Sequence, residues 1–68
     1  MSLKSFMKHF SISGKVIVTD NANLYQRFDC YSDCFLWICQ NKEQGARKFD
    51  YITSSVDDGK PVAYITIK

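Results

Sequence analysis

Three cysteines and one histidine are the side chains of this sequence whose types suit a transition metal. They are Cys30, Cys34, Cys39 and His9, and the cysteines follow the spacing C-x3-C-x4-C. Structural zinc sites favour two cysteines separated by two residues. On a helix, Cys34 and Cys39 would lie about 140° apart, so their thiolates would diverge. We therefore expect Cys34 and Cys39 to be buried core residues and the protein to hold no metal and no cofactor, with a minimal zinc-binding domain as an alternative.

Catalytic residues are also hard to assemble from this sequence. A cysteine nucleophile needs a base within hydrogen-bond reach, and His9 is the one histidine present. Asp57 and Asp58 precede Gly59, where neighbouring carboxylates serve a turn. The sequence has no glycine-rich phosphate loop, no H-E-x-x-H and no G-x-S-x-G. We expect the protein not to be an enzyme.

Aromatic side chains are the remaining group that could serve a function. The 68 residues include five Phe, four Tyr and one Trp. A chain of this size buries only about 60% of its surface on folding, so some of these rings should lie at the surface. Exposed apolar patches usually mark a partner or a self-association face. This composition favours binding over catalysis.

The N-terminal third is rich in alternating and β-branched residues. Residues 5–19 read as extended, and Gly14 is either a kink in one long strand, which we favour, or the tight turn between two short strands. Residues 20–23, Asp-Asn-Ala-Asn, predict a turn. Residues 24–29 then predict a second strand.

A helix is predicted next, from about Asp33 to Gln44. Ser32 is a plausible N-cap, and Gly45 fits the left-handed residue just past the end. The helical phase predicts a sheet-facing apolar stripe of Cys34, Phe35, Ile38 and Cys39. The same phase places Trp37 among polar residues, facing solvent.

The C-terminal segment has the strongest local signal. Two alternating runs, residues 48–56 and 61–68, flank Asp57-Asp58-Gly59-Lys60. Asp-Gly between such runs predicts a two-residue type I′ hairpin, with Asp57 opposite Lys60 and Val56 opposite Pro61. Pro61 is tolerated if the missing N–H points toward a free edge. This register predicts one aliphatic face against the helix and a second, open face with Phe49, Tyr51 and Tyr64.

The order β-β-α-β-β predicts an α+β fold. We expect a small two-layer sandwich, with an antiparallel sheet of about four strands and one helix on one face. Residues 1–68 should form a single domain. The second sheet face has no element to cover it.

Charge and apolar runs narrow the class of partner. Nine Lys and Arg against seven Asp and Glu give a net charge of +2, and the basic residues are scattered. Duplex-binding domains show a denser basic stripe. The longest apolar run, residues 34–39, is too short for a membrane helix, and the first ten residues do not read as a secretory signal. An odd number of cysteines excludes a closed disulfide framework and favours a reducing cytoplasm.

The function expected from these features is protein binding. Small cofactor-free chains of this strand-helix-hairpin kind resemble phage and prophage proteins that inhibit or redirect host machinery, a resemblance of class that involves no particular residues. We expect a phage or mobile-element modulator that docks on a host protein complex, or on itself as a homodimer. The candidate contact residues are Trp37, Phe49, Tyr51 and Tyr64. A nucleic-acid-binding module is the alternative, using the same tyrosines with Arg47, Lys48, Lys60 and Lys68.

Overall fold

A four-stranded sheet with helices against one of its faces is the architecture of the chain. The computed structural model describes residues 1–68. The elements in chain order are α1 (Leu3–His9), β1 (Lys15–Thr19), β2 (Tyr25–Phe28), α2 (Tyr31–Gln40), α3 (Lys42–Gly45), β3 (Phe49–Asp57) and β4 (Lys60–Ile67). The α+β class is confirmed, but the chain has three helices where the sequence predicted one.

The sheet is mixed, not antiparallel as expected. Its strand order is β2-β1-β4-β3. β1 and β2 form one antiparallel hairpin, and β3 and β4 form a second. The two hairpins join through β1 and β4, which run parallel from Lys15 opposite Val62 to Thr19 opposite Thr66. The central pairing links residues more than forty positions apart. No local pattern specifies such a pairing, which is why the antiparallel expectation was wrong.

The first helix replaces the start of the expected strand. Ser2 caps α1 by accepting a hydrogen bond from the Ser5 amide at 3.1 Å. Leu3, Phe6 and Met7 are buried, at the i, i+3, i+4 spacing of a helix face. Gly14 is neither a turn inside a hairpin nor a kink in a strand, because it precedes β1. It has a φ of 87°, and a Cβ there would meet the Pro61 carbonyl oxygen at 2.6 Å.

The second helix is shorter than expected and starts earlier. It begins after Cys30 and ends at Gln40, and α3 follows at once. The Tyr31 hydroxyl donates to the Met7 carbonyl and so ties α2 to α1. Gly45 is not a left-handed cap. It is buried within α3, where an added Cβ would lie 2.8 Å from Ile38 Cγ2, so the lack of a side chain permits close packing of α3 on α2.

The core lies between the helices and the two inner strands. Val16 and Val18 of β1 alternate with outward residues, as Ile65 and Ile67 do on β4. The complete buried cluster is Leu3, Phe6, Met7, Val16, Val18, Cys34, Ile38, Ile65 and Ile67. On β3, only Phe49 packs against this cluster. The predicted aliphatic face of the hairpin is therefore covered along β4 and left open along most of β3.

The hairpin turn has the predicted register. Asp57 pairs with Lys60, and Val56 pairs with Pro61. Asp58 and Gly59 both have positive φ, at 53° and 75°, as a type I′ turn requires. β4 is an inner strand, contrary to the expected free edge beside Pro61. The proline is tolerated because the pairing with β1 begins one residue later, at Val62.

Arg47 connects four parts of the chain through hydrogen bonds. Its guanidinium donates through Nη2 to Asp20 Oδ2 at 3.0 Å, through Nη1 to Gln44 Oε1 at 3.1 Å and through Nε to the Lys68 carbonyl at 2.9 Å. Its own carbonyl accepts from the Leu3 amide at 2.8 Å. The other Asp20 oxygen accepts from the amides of residues 22, 23 and 24. The amide donors, together with Arg47, lower the pKa of Asp20 to about 2.

Replacing Gly59 with Val should destabilise the domain by more than about 1 kcal/mol, because a β-branched residue is strained at positive φ. No atom lies within 4 Å of the added Cβ, so the loss would come from the backbone alone. Asn adopts this conformation more readily, so Gly59→Asn should lose less. Urea unfolding of the two variants beside the parent measures the difference. Equal stability of Gly59→Val and the parent would contradict the turn geometry.

Replacing Asp20 with Asn should give a pH-dependent loss of stability. The folded pKa of about 2 lies below the ordinary 3.8, so ionised Asp20 stabilises the fold above that value. The contribution disappears as the pH falls from 3.8 toward 2. Asp20→Asn should therefore be less stable than the parent at about pH 7 and approach it at about pH 2. Denaturant unfolding across this range, with the exposed Asp29→Asn as control, would contradict the assignment if both variants showed the same pH-independent gap.

Candidate functional site

The outer strand β3 is the most exposed regular element of the structure. All residues from Asp50 to Asp57 are exposed. The stretch from Tyr51 to Val56 contains no charge and no proline. Edge strands in natural proteins are usually shortened, charged or interrupted, because a bare edge pairs with other chains. At nine residues β3 is long for an edge, and its middle carries none of these protections.

The outward backbone groups of β3 follow from its register with β4. Pro61 has no N–H, so its pair with Val56 belongs to the pairs without ladder hydrogen bonds. Such pairs alternate along an antiparallel ladder, which adds Ser54 and Ile52 to the same class. The N–H and C=O groups of these three residues therefore point away from β4, toward solvent.

The N-terminal residues already occupy the first part of this edge. The Leu3 amide donates to the Arg47 carbonyl at 2.8 Å, and the Phe49 amide donates to the Met1 carbonyl at 2.9 Å. Ser2 lies opposite Lys48 in an antiparallel bridge. The backbone of residues 1–3 therefore pairs with this edge as far as Phe49. The free portion begins beyond it.

Large apolar side chains flank the free edge on both faces of the sheet. On the helix side, Ile52 is 40% exposed and Val56 is 71% exposed. On the open face, Tyr51 is 48% exposed. Ile52 and Val56 were expected beneath the helix, but the helices stop short of this part of β3. Sequence reasoning missed them as site residues because β3 is identified as an outer strand only by the sheet order.

The open face of the sheet is more enclosed than expected. Tyr51 and Tyr64 do share it, on adjacent strands, and Tyr25 of β2 joins them. The face curls, however, so that Arg27 on one outer strand lies 3.9 Å from Asp57 on the other. Ile17, Val62 and Thr66 at its centre are buried. The chain itself therefore covers much of the surface that the sequence left bare.

Phe49 does not lie on the open face, contrary to expectation. The register of β3 shifts between Phe49 and Tyr51, so Asp50 is an extra residue. This bulge places Phe49 opposite Ile67, on the helix side. Its ring stacks on Phe6, with ring centres 4.1 Å apart. Strict alternation cannot reveal a bulge, which is why the assigned face was wrong.

Trp37 is half-buried and not turned to solvent as expected. Its ring lies 5.5 Å from that of Phe28, on the outer strand β2. The helix starts at Tyr31, and its apolar face is centred on Cys34 and Ile38, with Trp37 at one margin. Leu36 is the large apolar residue of α2 that is exposed instead. Trp37 packs on the sheet edge opposite β3, far from the other candidate residues in strand order.

The cysteines and His9 do not form a common site. Cys34 is buried as expected, and burial raises the pKa of its thiol to about 12. Cys39 is exposed, contrary to expectation, as is Cys30. The His9 ring donates to the Ser5 carbonyl within its own helix, at 2.8 Å. The structure groups no three His, Cys, Asp or Glu residues that could hold a metal ion.

The surface depressions of the structure do not add a further candidate site. Two depressions of ≈ 360 Å³ lie beside α3, the first lined by residues 40–44 and the second including Ile38 and Gly45. Neither contains a cysteine, a histidine or a pair of carboxylates. No helix of the chain has both the length and the apolar character needed to cross a membrane.

Comparisons with known proteins identify no relative of this chain. No protein-family model matches it, and neither the curated proteins nor the solved structures give a match. The candidate site therefore rests on the geometry of β3.

Replacing Trp37 with Ala should lower stability by about 2 kcal/mol, roughly half the loss seen when a fully buried aromatic ring is removed. Leu36→Ala, at the neighbouring exposed position, is the matched control and should unfold like the parent. Urea unfolding measures both. If Trp37→Ala were as stable as the parent, the ring would not contribute to the core and would be free for a partner.

Proposed function

We propose that this chain is a non-enzymatic protein-binding module that adds a strand of its partner to the edge of β3. The observation that carries the proposal is the free, uncharged edge from Tyr51 to Val56. Strand addition obtains affinity from backbone hydrogen bonds and specificity from alternate side chains. Ile52 and Val56 supply apolar contacts on one face, and Tyr51 supplies them on the other.

The contact set differs from the one that the sequence suggested. Tyr51 remains in it, and Tyr64 lies beside it on β4 as a half-buried neighbour. Phe49 is engaged with Phe6, and Trp37 with Phe28. These two rings pack within the fold and are not part of the proposed contact. The resemblance to small phage proteins extends the proposal to a host protein complex as the partner and to the cytoplasm as its location.

Nucleic-acid binding is the second candidate, favoured by the three tyrosines on one face of the sheet. Stacking of bases on exposed aromatics is a common mode of single-strand recognition. Two of the basic residues named for it are already engaged, Arg47 with Asp20 and Lys68 with Asp50 at 3.9 Å. Arg27 on that face pairs with Asp57. These contacts pair three cations with carboxylates, whereas Lys48 and Lys60 have no ion pair.

Affinity capture from a bacterial lysate with Ser54 variants tests the proposal. Ser54→Pro removes an outward N–H and no hydrogen bond within the chain, whereas Ser54→Val keeps the donor and favours strand. We expect protein captured by the parent and by Ser54→Val to be lost with Ser54→Pro, by ~10-fold or more. Thermal unfolding should show that both variants fold.

The salt and nuclease arms of the same experiment separate the two candidates. Capture that survives nuclease and changes little with added salt supports a protein partner. Capture that disappears with nuclease, and falls steeply with salt, would favour nucleic acid and contradict the proposal.

A further inference from the structure

The structure contains two sheet edges with different properties. β2 is an edge of four residues and carries Arg27. Short strands and charged side chains are the usual means of discouraging edge pairing. β3 is more than twice as long and is uncharged along its free part. Any added strand should therefore pair with β3 and not with β2.

We propose that β3 pairs with β3 of a second copy of this chain, antiparallel, about a two-fold axis at Ser54. The two sheets would join into one continuous sheet of eight strands. This rests on the proposed function, since it names a partner for the same edge. A two-fold contact uses the same surface on both copies and closes on itself, so it gives a dimer and not a fibre.

The backbone of β3 is suited to this axis. Its outward groups belong to Ile52, Ser54 and Val56, which are spaced evenly about Ser54. Antiparallel pairing about that residue sets Ser54 opposite Ser54 and Ile52 opposite Val56 of the second copy. Every one of these residues presents both its N–H and its C=O outward. All three facing pairs can therefore exchange two hydrogen bonds each.

The side chains favour the same register. Residues that face each other across an antiparallel pair lie on the same face, with Cβ atoms about 5 Å apart. Ile52 of each copy would meet Val56 of the other. Val56 is the most exposed large apolar side chain in the chain, and Ile52 is also exposed. Moving the axis to Thr53 would set Val56 opposite Asp50 and Ile52 opposite Ser54. The axis at Ser54 is the one that buries the two aliphatic side chains against each other.

Charge does not oppose this register between residues 51 and 57. On the second face, Thr53 would meet Ser55, and Tyr51 would meet Asp57. Asp57 is the one charged residue in the paired stretch, and its facing neighbour is neutral. Beyond each end of this stretch, the same register places Asp50 of one copy near Asp58 of the other, so like charges confine the pairing to residues 51–57.

Charge variants at Ser54 test the axis, because a residue on a two-fold axis faces its own copy. We expect the parent to sediment as a dimer. Ser54→Lys and Ser54→Asp alone should each weaken the dimer by ~10-fold or more, since like charges would lie directly opposite. An equal mixture of the two variants should restore it. Ser55→Lys, which adds the same charge on the other face and away from the axis, is the matched control and should remain dimeric.

The outcomes separate this inference from the proposed function. A parent that stays monomeric at high concentration overturns the dimer. The two-fold axis at Ser54 is overturned if Ser54→Lys does not weaken the dimer. It is also overturned if the mixture of Ser54→Lys and Ser54→Asp does not restore the dimer. A monomeric parent that still loses its captured protein with Ser54→Pro would leave the proposed function in place. If the parent is a dimer and captures no protein from the lysate, the second copy is the sole occupant of the β3 edge. That result would refute the proposal of a foreign partner.

Discussion

The contact between Arg47 and Asp20 links the two hairpins outside the β1–β4 ladder. Asp20 organises the turn between β1 and β2 through three backbone amides, while Arg47 precedes β3 and also holds α3 and the end of β4. The carboxylate is only 10% exposed and the guanidinium 30%, so both charges are partly removed from water. Breaking the contact would leave a partly buried charge without its partner, which costs more than losing an exposed ion pair. This contact supports the parallel alignment of β1 with β4.

The position of the helices follows from that alignment and explains the bare edge. α1 and α2 cover the inner strands, where Val16, Val18, Ile65 and Ile67 supply the core. None of the seven helices and strands covers β3 beyond Phe49. Ile52 and Val56 lie on the helix side of β3 because of its alternation. With no helix over them, both side chains remain exposed to water. Because the helices pack on the inner strands and complete the core there, the apolar residues of β3 stay free to pair with another chain.

Local signals in the sequence were sufficient for the features that depend on neighbouring residues. The Asp58-Gly59 turn, its register and the burial of Cys34 and Ile38 all follow from short spacings. Features that depend on distant residues were not predictable in the same way. The parallel β1–β4 pairing, the outer position of β3 and the Asp50 bulge arise from contacts between separate hairpins or from an unpatterned insertion. Only α1 was missed despite a local signal, since Leu3, Phe6 and Met7 have helical spacing.

An unprotected edge has a thermodynamic consequence for so small a domain. A partner that binds only the folded chain stabilises it in proportion to the logarithm of its concentration above the dissociation constant. For a domain whose own core consists of nine side chains, pairing along β3 would add both backbone hydrogen bonds and the burial of Ile52 and Val56. Self-association would also hide a strand that otherwise invites aggregation. Replacement of the second copy by a foreign strand would then exchange one set of backbone hydrogen bonds for another. The affinity for a foreign partner would therefore depend on side-chain contacts at Tyr51, Ile52 and Val56 more than on the number of hydrogen bonds formed.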